Sequence, residues 1–260
     1  VPAIGTFTTN TAVTEIGDYI FRACFIDPFQ GEVAATYAWD EGYKTAGILY
    51  NNADAYSKGL YEAFVSSYEA LGGQIVEVQA YSGADVKDYN VQFAKIAAAK
   101  PDCVFMPNLI GEVPLQVQQA RAAGITAPLI GGDSWDTPEI AKVAGAENIK
   151  GAVYISAFSA DNPDPIAQQF VNDYKAAYGG DVPNSNAVLA YEAAMMMVEA
   201  IKNAETVDRA GVRDALTQIQ DLALPSGKIT VGADRNPIKG AAILQYNDEG
   251  IATYLTTVNP

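Results

Sequence analysis

The chain has 260 residues, more than most single hydrophobic cores use, which fits either one large domain or two lobes of ordinary size, and two lobes are the working expectation. With 49% hydrophobic and 18% charged residues the composition is that of a folded protein, not of a disordered one, and no apolar stretch approaches the ~18 residues of a membrane span. The net charge of -15, from 16 basic and 31 acidic residues, repels phosphate backbones and anionic lipid heads, so nucleic acid is not an expected partner.

Taken in chain order, Val1-Pro2-Ala3-Ile4 reads as a strand, followed by a threonine-rich turn over 5–11 and a second strand over 19–26. From Thr45 the pattern alternates. The apolar run 45–51 precedes a helical segment, 57–73, with Leu60, Phe64, Tyr68 and Leu71 on one face and Gly72-Gly73 at its end. Strands over 74–81, 102–108, 127–133 and 151–158 then alternate with helices over 88–100, 112–124 and 137–146. Continuous apolar strands separated by amphipathic helices imply a parallel sheet covered on both faces, an α/β fold. After Phe158 three helical segments follow almost consecutively (163–179, 185–204 and 209–219), and they must cover a different sheet. Asp208 is expected to cap the third. The chain closes with strands over 227–231, 241–247 and 251–258. Cys24 and Cys103 both sit in apolar runs and read as buried free thiols.

The sequence contains no histidine, which removes Ser-His-Asp and Cys-His catalysis and HExxH zinc sites. Neither a GxxxxGK[ST] loop nor a GxGxxG after a strand is present, so no nucleotide cofactor is signalled, and no metal or other cofactor is expected. Met195-Met196-Met197 lies inside a helix and reads as packing. Ligands of open parallel sheets bind beyond the carboxyl ends of the strands, and those ends carry Tyr56, Asn108, and Asp133 with Trp135. In "APLIGGDSWDTPE" Gly131 and Gly132 are expected to let the chain turn tightly, leaving Asp133 at the rim to hold a cationic group. Each residue has a competing structural reading. Asp133 competes as a cap for the helix starting near Thr137, although Asp136 or Thr137 is better placed. Tyr56 reads equally as a packing residue, Asn108 as a turn residue and Trp135 as cover for the core.

The segments "FRACFIDPFQGEVAATY", "ILYNNADAYSKGLYEAF", "APLIGGDSWDTPE" and "FVNDYKAAYG", in that order, resemble the branched-chain amino-acid binding proteins of ABC importers, the periplasmic-binding-protein type I family related to the leucine/isoleucine/valine binding protein. The resemblance covers essentially the whole chain. It implies two α/β lobes joined by three crossings, with the ligand trapped in the cleft. Lobe 1 would comprise 1–25 and 158–238, lobe 2 would comprise 26–157 and 239–260, and the crossings would fall near 25–28, 157–159 and 237–241. By the same resemblance, Phe7, Thr8 and Thr9 would serve the α-carboxylate of a bound amino acid, Asp133 its ammonium, and Tyr56 and Tyr191 would flank the cleft. "PNLIGE" departs from the relatives, so Asn108, Ile110 and Glu112 would reshape the side-chain pocket. The family also begins with further βα units, so something on the order of 100 residues of the first lobe would be absent here.

The resemblance implies a non-enzymatic, monomeric solute-binding protein, outside the cytoplasmic membrane or lipid-anchored at the cell surface. Its partners would be a small amino acid or similar zwitterion and the subunits of an ABC permease. The same fold in a ligand-sensing receptor or regulator is the alternative.

Overall fold

A computed structural model describes residues Val1–Pro260. The chain divides into two compact units, the first formed by Val1–Ile26, Ala157–Ala242 and Thr257–Pro260, the second by Asp27–Ser156 and Ile243–Thr256. The last four residues thus return to the first unit, where a passage within 237–241 and a C-terminus in lobe 2 were expected. Gly240 lies directly against Thr257, Val258 and Asn259, and a Cβ there would come within 2.9 Å of Thr257 Cγ2.

The first unit opens with β1 (Ala3–Gly5), the single-turn helix α1 (Ala12–Glu15) and β2 (Ile20–Arg22). The two strands pair in parallel, with Ile4 opposite Phe21.

The second unit runs α2 (Asp27–Asp40), β3 (Thr45–Asn51), α3 (Ala55–Ala70), β4 (Gln74–Tyr81), α4 (Asn90–Ala99), β5 (Cys103–Met106), α5 (Val113–Ala122), β6 (Leu129–Gly131), a 3-10 turn (Asp133–Trp135), α6 (Pro138–Ala144), α7 (Ala146–Ile149) and β7 (Val153–Ser156). β3 pairs in parallel with β4 and β5, β5 with β6, and β6 with β7. Every residue of β5, β6 and β7 is buried, which explains their unbroken apolar sequence. Asp54 caps α3 by accepting from the Ser57 amide at 2.8 Å, and Leu60, Phe64 and Tyr68 form its buried face.

Two departures from the periodicity reading occur here. The helix expected over 137–146 is two helices, because Gly145 adopts φ +93° and breaks it. Helix α2 gave no amphipathic signal, since its buried face is built from Gln30, Gly31, Val33, Ala34, Ala35 and Ala38. Its small residues allow close helix packing: a Cβ on Gly31 would lie 2.9 Å from the Phe64 amide nitrogen of α3.

The remaining elements are α8 (Pro165–Ala177), α9 (Ser185–Asn203), α10 (Arg209–Leu216), β8 (Leu222–Leu224), β9 (Gly227–Val231), β10 (Pro237–Ile238), β11 (Ala241–Tyr246) and β12 (Ala252–Val258). β8, β9 and β10 make a three-stranded antiparallel sheet in the first unit, and Asp208 caps α10 through the Ala210 and Gly211 amides. The short strand β8 was not anticipated. β11 and β12 join the sheet of the second unit, whose strand order is β12-β11-β7-β6-β5-β3-β4.

Phe158, Ala167, Val171 and Val188 form a buried cluster in the first unit. Nearby, the side chains of Lys239 and Glu192 are fully buried and paired at 2.9 Å. Glu192 also accepts from the Ser226 amide and hydroxyl, and Lys239 donates to the Ala23 carbonyl at 3.2 Å. One ion pair therefore joins α9, the β8–β9 turn, the segment after β10 and the end of β2. Cys24 and Cys103 are buried free thiols, and no helix is long and apolar enough to cross a membrane.

Candidate functional site

In the second unit the carboxyl end of β6 runs into the 3-10 turn that carries Asp133. This residue is 1% exposed. Its Oδ1 accepts a hydrogen bond from the Tyr56 hydroxyl at 2.7 Å, and its amide donates to Gln30 Oε1 at 2.6 Å. Asp133 Oδ2 and Gln30 Nε2 are buried without a hydrogen-bond partner. A buried carboxylate loses hydration, and burial raises the Asp133 pKa to about 6, although the hydrogen bond from Tyr56 opposes the rise. Asp133 is thus anionic at neutral pH and holds one unfilled acceptor. Burial first, and the Asp133 charge second, push the Tyr56 phenol well above its ordinary value, so Tyr56 remains a donor.

Asp133 is not a helix cap. Thr137 caps α6, accepting from the Glu139 amide, and Pro138 follows in the first turn. The two glycines before Asp133 are required by space and not by left-handed backbone, since Gly132 has φ -95° and Gly131 is not among the positive-φ glycines. A Cβ on Gly131 would enter the Trp135 indole, and one on Gly132 would collide with Tyr56 Oη and Gln30 Oε1. Gly132→Ala is therefore expected to drive Tyr56 and Gln30 off Asp133 at a cost of about 1–3 kcal/mol, read as a lower urea midpoint with unchanged slope.

Asp133, expected at the rim, is buried, and Asn108 and Trp135, expected at the strand ends with a turn and core cover as their competing readings, also lie wholly inside. Trp135 is 0% exposed, donates from Nε1 to the Met106 carbonyl and accepts at its own carbonyl from the Tyr246 hydroxyl, so it braces the turn from behind. Asn108 is also 0% exposed, and its amide group is fully engaged. Its Nδ2 donates to the Leu49 carbonyl and Gln116 Oε1, both at 2.9 Å, and its Oδ1 accepts from the Ser57 hydroxyl. The network continues from Gln116 through Tyr81 to Glu112, which also accepts from Asn51. Burial raises the Glu112 pKa. Ile110 and Leu109, in the same loop, are the exposed apolar residues. Ser134 donates its hydroxyl to the Asn108 carbonyl at 2.6 Å, joining the two loops.

In the first unit, Phe7 is half-buried, Thr8 is exposed and Thr9 is 4% exposed, all in the turn after β1. Arg22, wholly buried at the end of β2, holds this turn through the carbonyls of Thr8 at 2.6 Å and Thr11 at 3.2 Å. Tyr191 is 43% exposed on α9, with its ring 4.9 Å from that of Phe170. It lines an open apolar groove of about 820 Å³ with Phe170, Tyr174, Tyr178 and Met195. Sequence reasoning missed Gln30 and Arg22. The only signal for Gln30 is a polar residue amid small ones, and for Arg22 a cation inside an apolar strand.

A family described as periplasmic binding protein matches residues 1–250. An amino acid binding protein of Pseudomonas aeruginosa is 29% identical over 211 residues, which are 80% of this chain and 55% of that protein. A Leu/Ile/Val-binding protein homolog of Brucella suis is 29% identical over 217 residues, 81% of this chain and 56% of that one. The chain spans about half the length of the curated relatives it matches. Among solved structures, the leucine binding protein LivK of Thermotoga maritima superposes with a TM-score of 0.92 at 28% identity, covering 100% of this chain and 73% of that one. The branched-chain amino acid transporter substrate binding protein LivJ of Streptococcus pneumoniae, in complex with isoleucine, gives 0.90 at 29% identity, with coverages of 100% and 73%.

Proposed function

Because the chain belongs to the periplasmic binding protein family, matched over residues 1–250, we propose that it is the solute-binding component of an ABC importer and captures a small amino acid outside the cytoplasmic membrane. The observation that carries this reading is Asp133, a buried carboxylate aimed by Tyr56 and Gln30 that keeps Oδ2 unpaired. A charge-assisted bond to an α-ammonium would fill that position in a water-poor setting, where it is strongest. The α-carboxylate would be met by the Phe7-Thr8-Thr9 turn of the first unit. Ile110 and Leu109 would touch the ligand side chain, whereas Asn108, Glu112 and Trp135 would hold the loops beneath it. Isoleucine is bound in the Streptococcus protein, which supports an aliphatic amino acid here. Delivery would be to the permease subunits of the importer, with the protein acting as a monomer and carrying out no covalent chemistry.

The test is a thermal-shift panel of the twenty amino acids on the wild type and on Asp133→Ala. A ligand at 100 times its dissociation constant adds about 2.7 kcal/mol to native stability. The expected result is a rise in Tm with one group of aliphatic amino acids that disappears in Asp133→Ala. A shift that survives the substitution would remove Asp133 from the site, and a cooperative melt that no amino acid moves would remove the ligand class.

A further inference from the structure

Arg22 is wholly buried, and its guanidinium reaches the backbone of the turn after β1. Nη1 donates to the Thr8 carbonyl at 2.6 Å, and Nη2 donates to the Thr11 carbonyl at 3.2 Å and the Thr14 hydroxyl at 3.5 Å. A planar guanidinium can hold two carbonyls at once because its donors form a rigid fork, which an ammonium lacks. The Thr14 hydroxyl in turn donates to Asn236 Oδ1, and Arg235 donates to the Thr14 carbonyl, so the far end of the turn is pinned as well.

The consequence lies on the opposite side of the Thr8–Thr9 peptide. No peptide bond in the chain is cis, and in a planar trans peptide the N–H points away from the C=O. With the Thr8 carbonyl turned onto the guanidinium, the Thr9 N–H must point away from it. Thr9 is 4% exposed, and its amide and hydroxyl have no partner within the protein. The guanidinium donor behind the carbonyl also aligns and polarises the peptide dipole, so its positive end faces outward.

We propose that Arg22 is a positioning residue for anion recognition: through the Thr8–Thr9 peptide it aims the Thr9 amide, with the Thr9 hydroxyl beside it, at a ligand carboxylate that the guanidinium never touches. This rests on the amino-acid reading above and adds to it the group that orients the carboxylate site. A lysine at this position keeps the charge but cannot hold the Thr8 and Thr11 carbonyls together, so the substitution separates charge from aim.

The experiment follows the Thr9 amide by ¹H–¹⁵N NMR while sodium acetate, and then L-leucine, is titrated into the wild type, Arg22→Lys and Arg22→Gln. The expected result is a progressive shift of the Thr9 resonance in the wild type, with at least a tenfold weaker response in both variants. Isopentylamine, which has the leucine side chain and amine without the carboxylate, should bind all three proteins within a factor of two. A lost scaffold would weaken both ligands alike, so this contrast separates aim from folding. A wild-type Thr9 amide indifferent to acetate and leucine overturns the proposal whether or not the variants fold, as does an Arg22→Lys protein that keeps the full response. Failure of the amino-acid reading looks different: Thr9 would respond to acetate while no amino acid shifts the melt.

Discussion

Lys239→Met is expected to lower the stability of the first unit by about 3–5 kcal/mol, because it leaves the Glu192 carboxylate buried without its counter-charge. Glu192→Leu should cost a similar amount by stranding the ammonium. The double substitution Glu192→Leu/Lys239→Met removes both charges and should recover most of the loss, since an apolar pair of similar volume is often neutral or stabilising in place of a buried ion pair. Urea unfolding of the four proteins closes a double-mutant cycle. A coupling energy near zero would mean that the pair contributes no more than two independent polar contacts. The cycle also bears on the chain's passage between units, because Lys239 reaches the Ala23 carbonyl, and both residues lie within four positions of a passage, at Ile26/Asp27 and at Ala242/Ile243.

Affinity for an amino acid is expected to fall steeply in acid, with the dissociation constant rising about tenfold for each pH unit below the Asp133 pKa of about 6, so that pH 4 is roughly 100-fold weaker than pH 8. An ammonium can pair only with the ionised carboxylate, and the amino acid itself does not titrate in that window. Stability of the unliganded protein should move in the opposite direction. The folded pKa of Asp133 is raised above the ordinary 3.8, so its contribution is fully present below that value and is lost as pH rises through about 6. Glu112 is also raised by burial and has the same sign. Calorimetric titrations between pH 4 and 8, paired with melts of the free protein, check both. A dissociation constant flat across that range would remove the Asp133–ammonium contact.

The sheet of the second unit was legible because its central strands are buried on both faces and leave unbroken apolar runs between helices of clear period. The place of Asp133 was legible for a related reason: an apolar run that stops at two glycines marks the end of a parallel strand, and the acid follows directly in the turn. What stayed hidden depends on long-range partners. Asn108 read as a turn residue, and nothing local shows that Leu49, Ser57 and Gln116 engage its amide. Helix α2 escaped because its packing uses glycine and alanine, which carry almost no periodic hydrophobic signal. Glu192 and Lys239 are 47 positions apart, and each alone resembles an ordinary surface charge. Arg22 lay inside a run read as strand, with its partners in the preceding turn.

The strand order β12-β11-β7-β6-β5-β3-β4 has a consequence for how the protein is made. β7 ends at Ser156, and its neighbour β11 begins only at Ala241, after the chain has travelled through the first unit. During synthesis the β7 edge must therefore wait, unpaired, while the whole excursion emerges. An exposed strand edge is a template for wrong pairing, and closing so long a loop is entropically slow. Nascent chains halted just after β7 should be the most aggregation-prone intermediates, and they should need chaperone cover until β11 arrives.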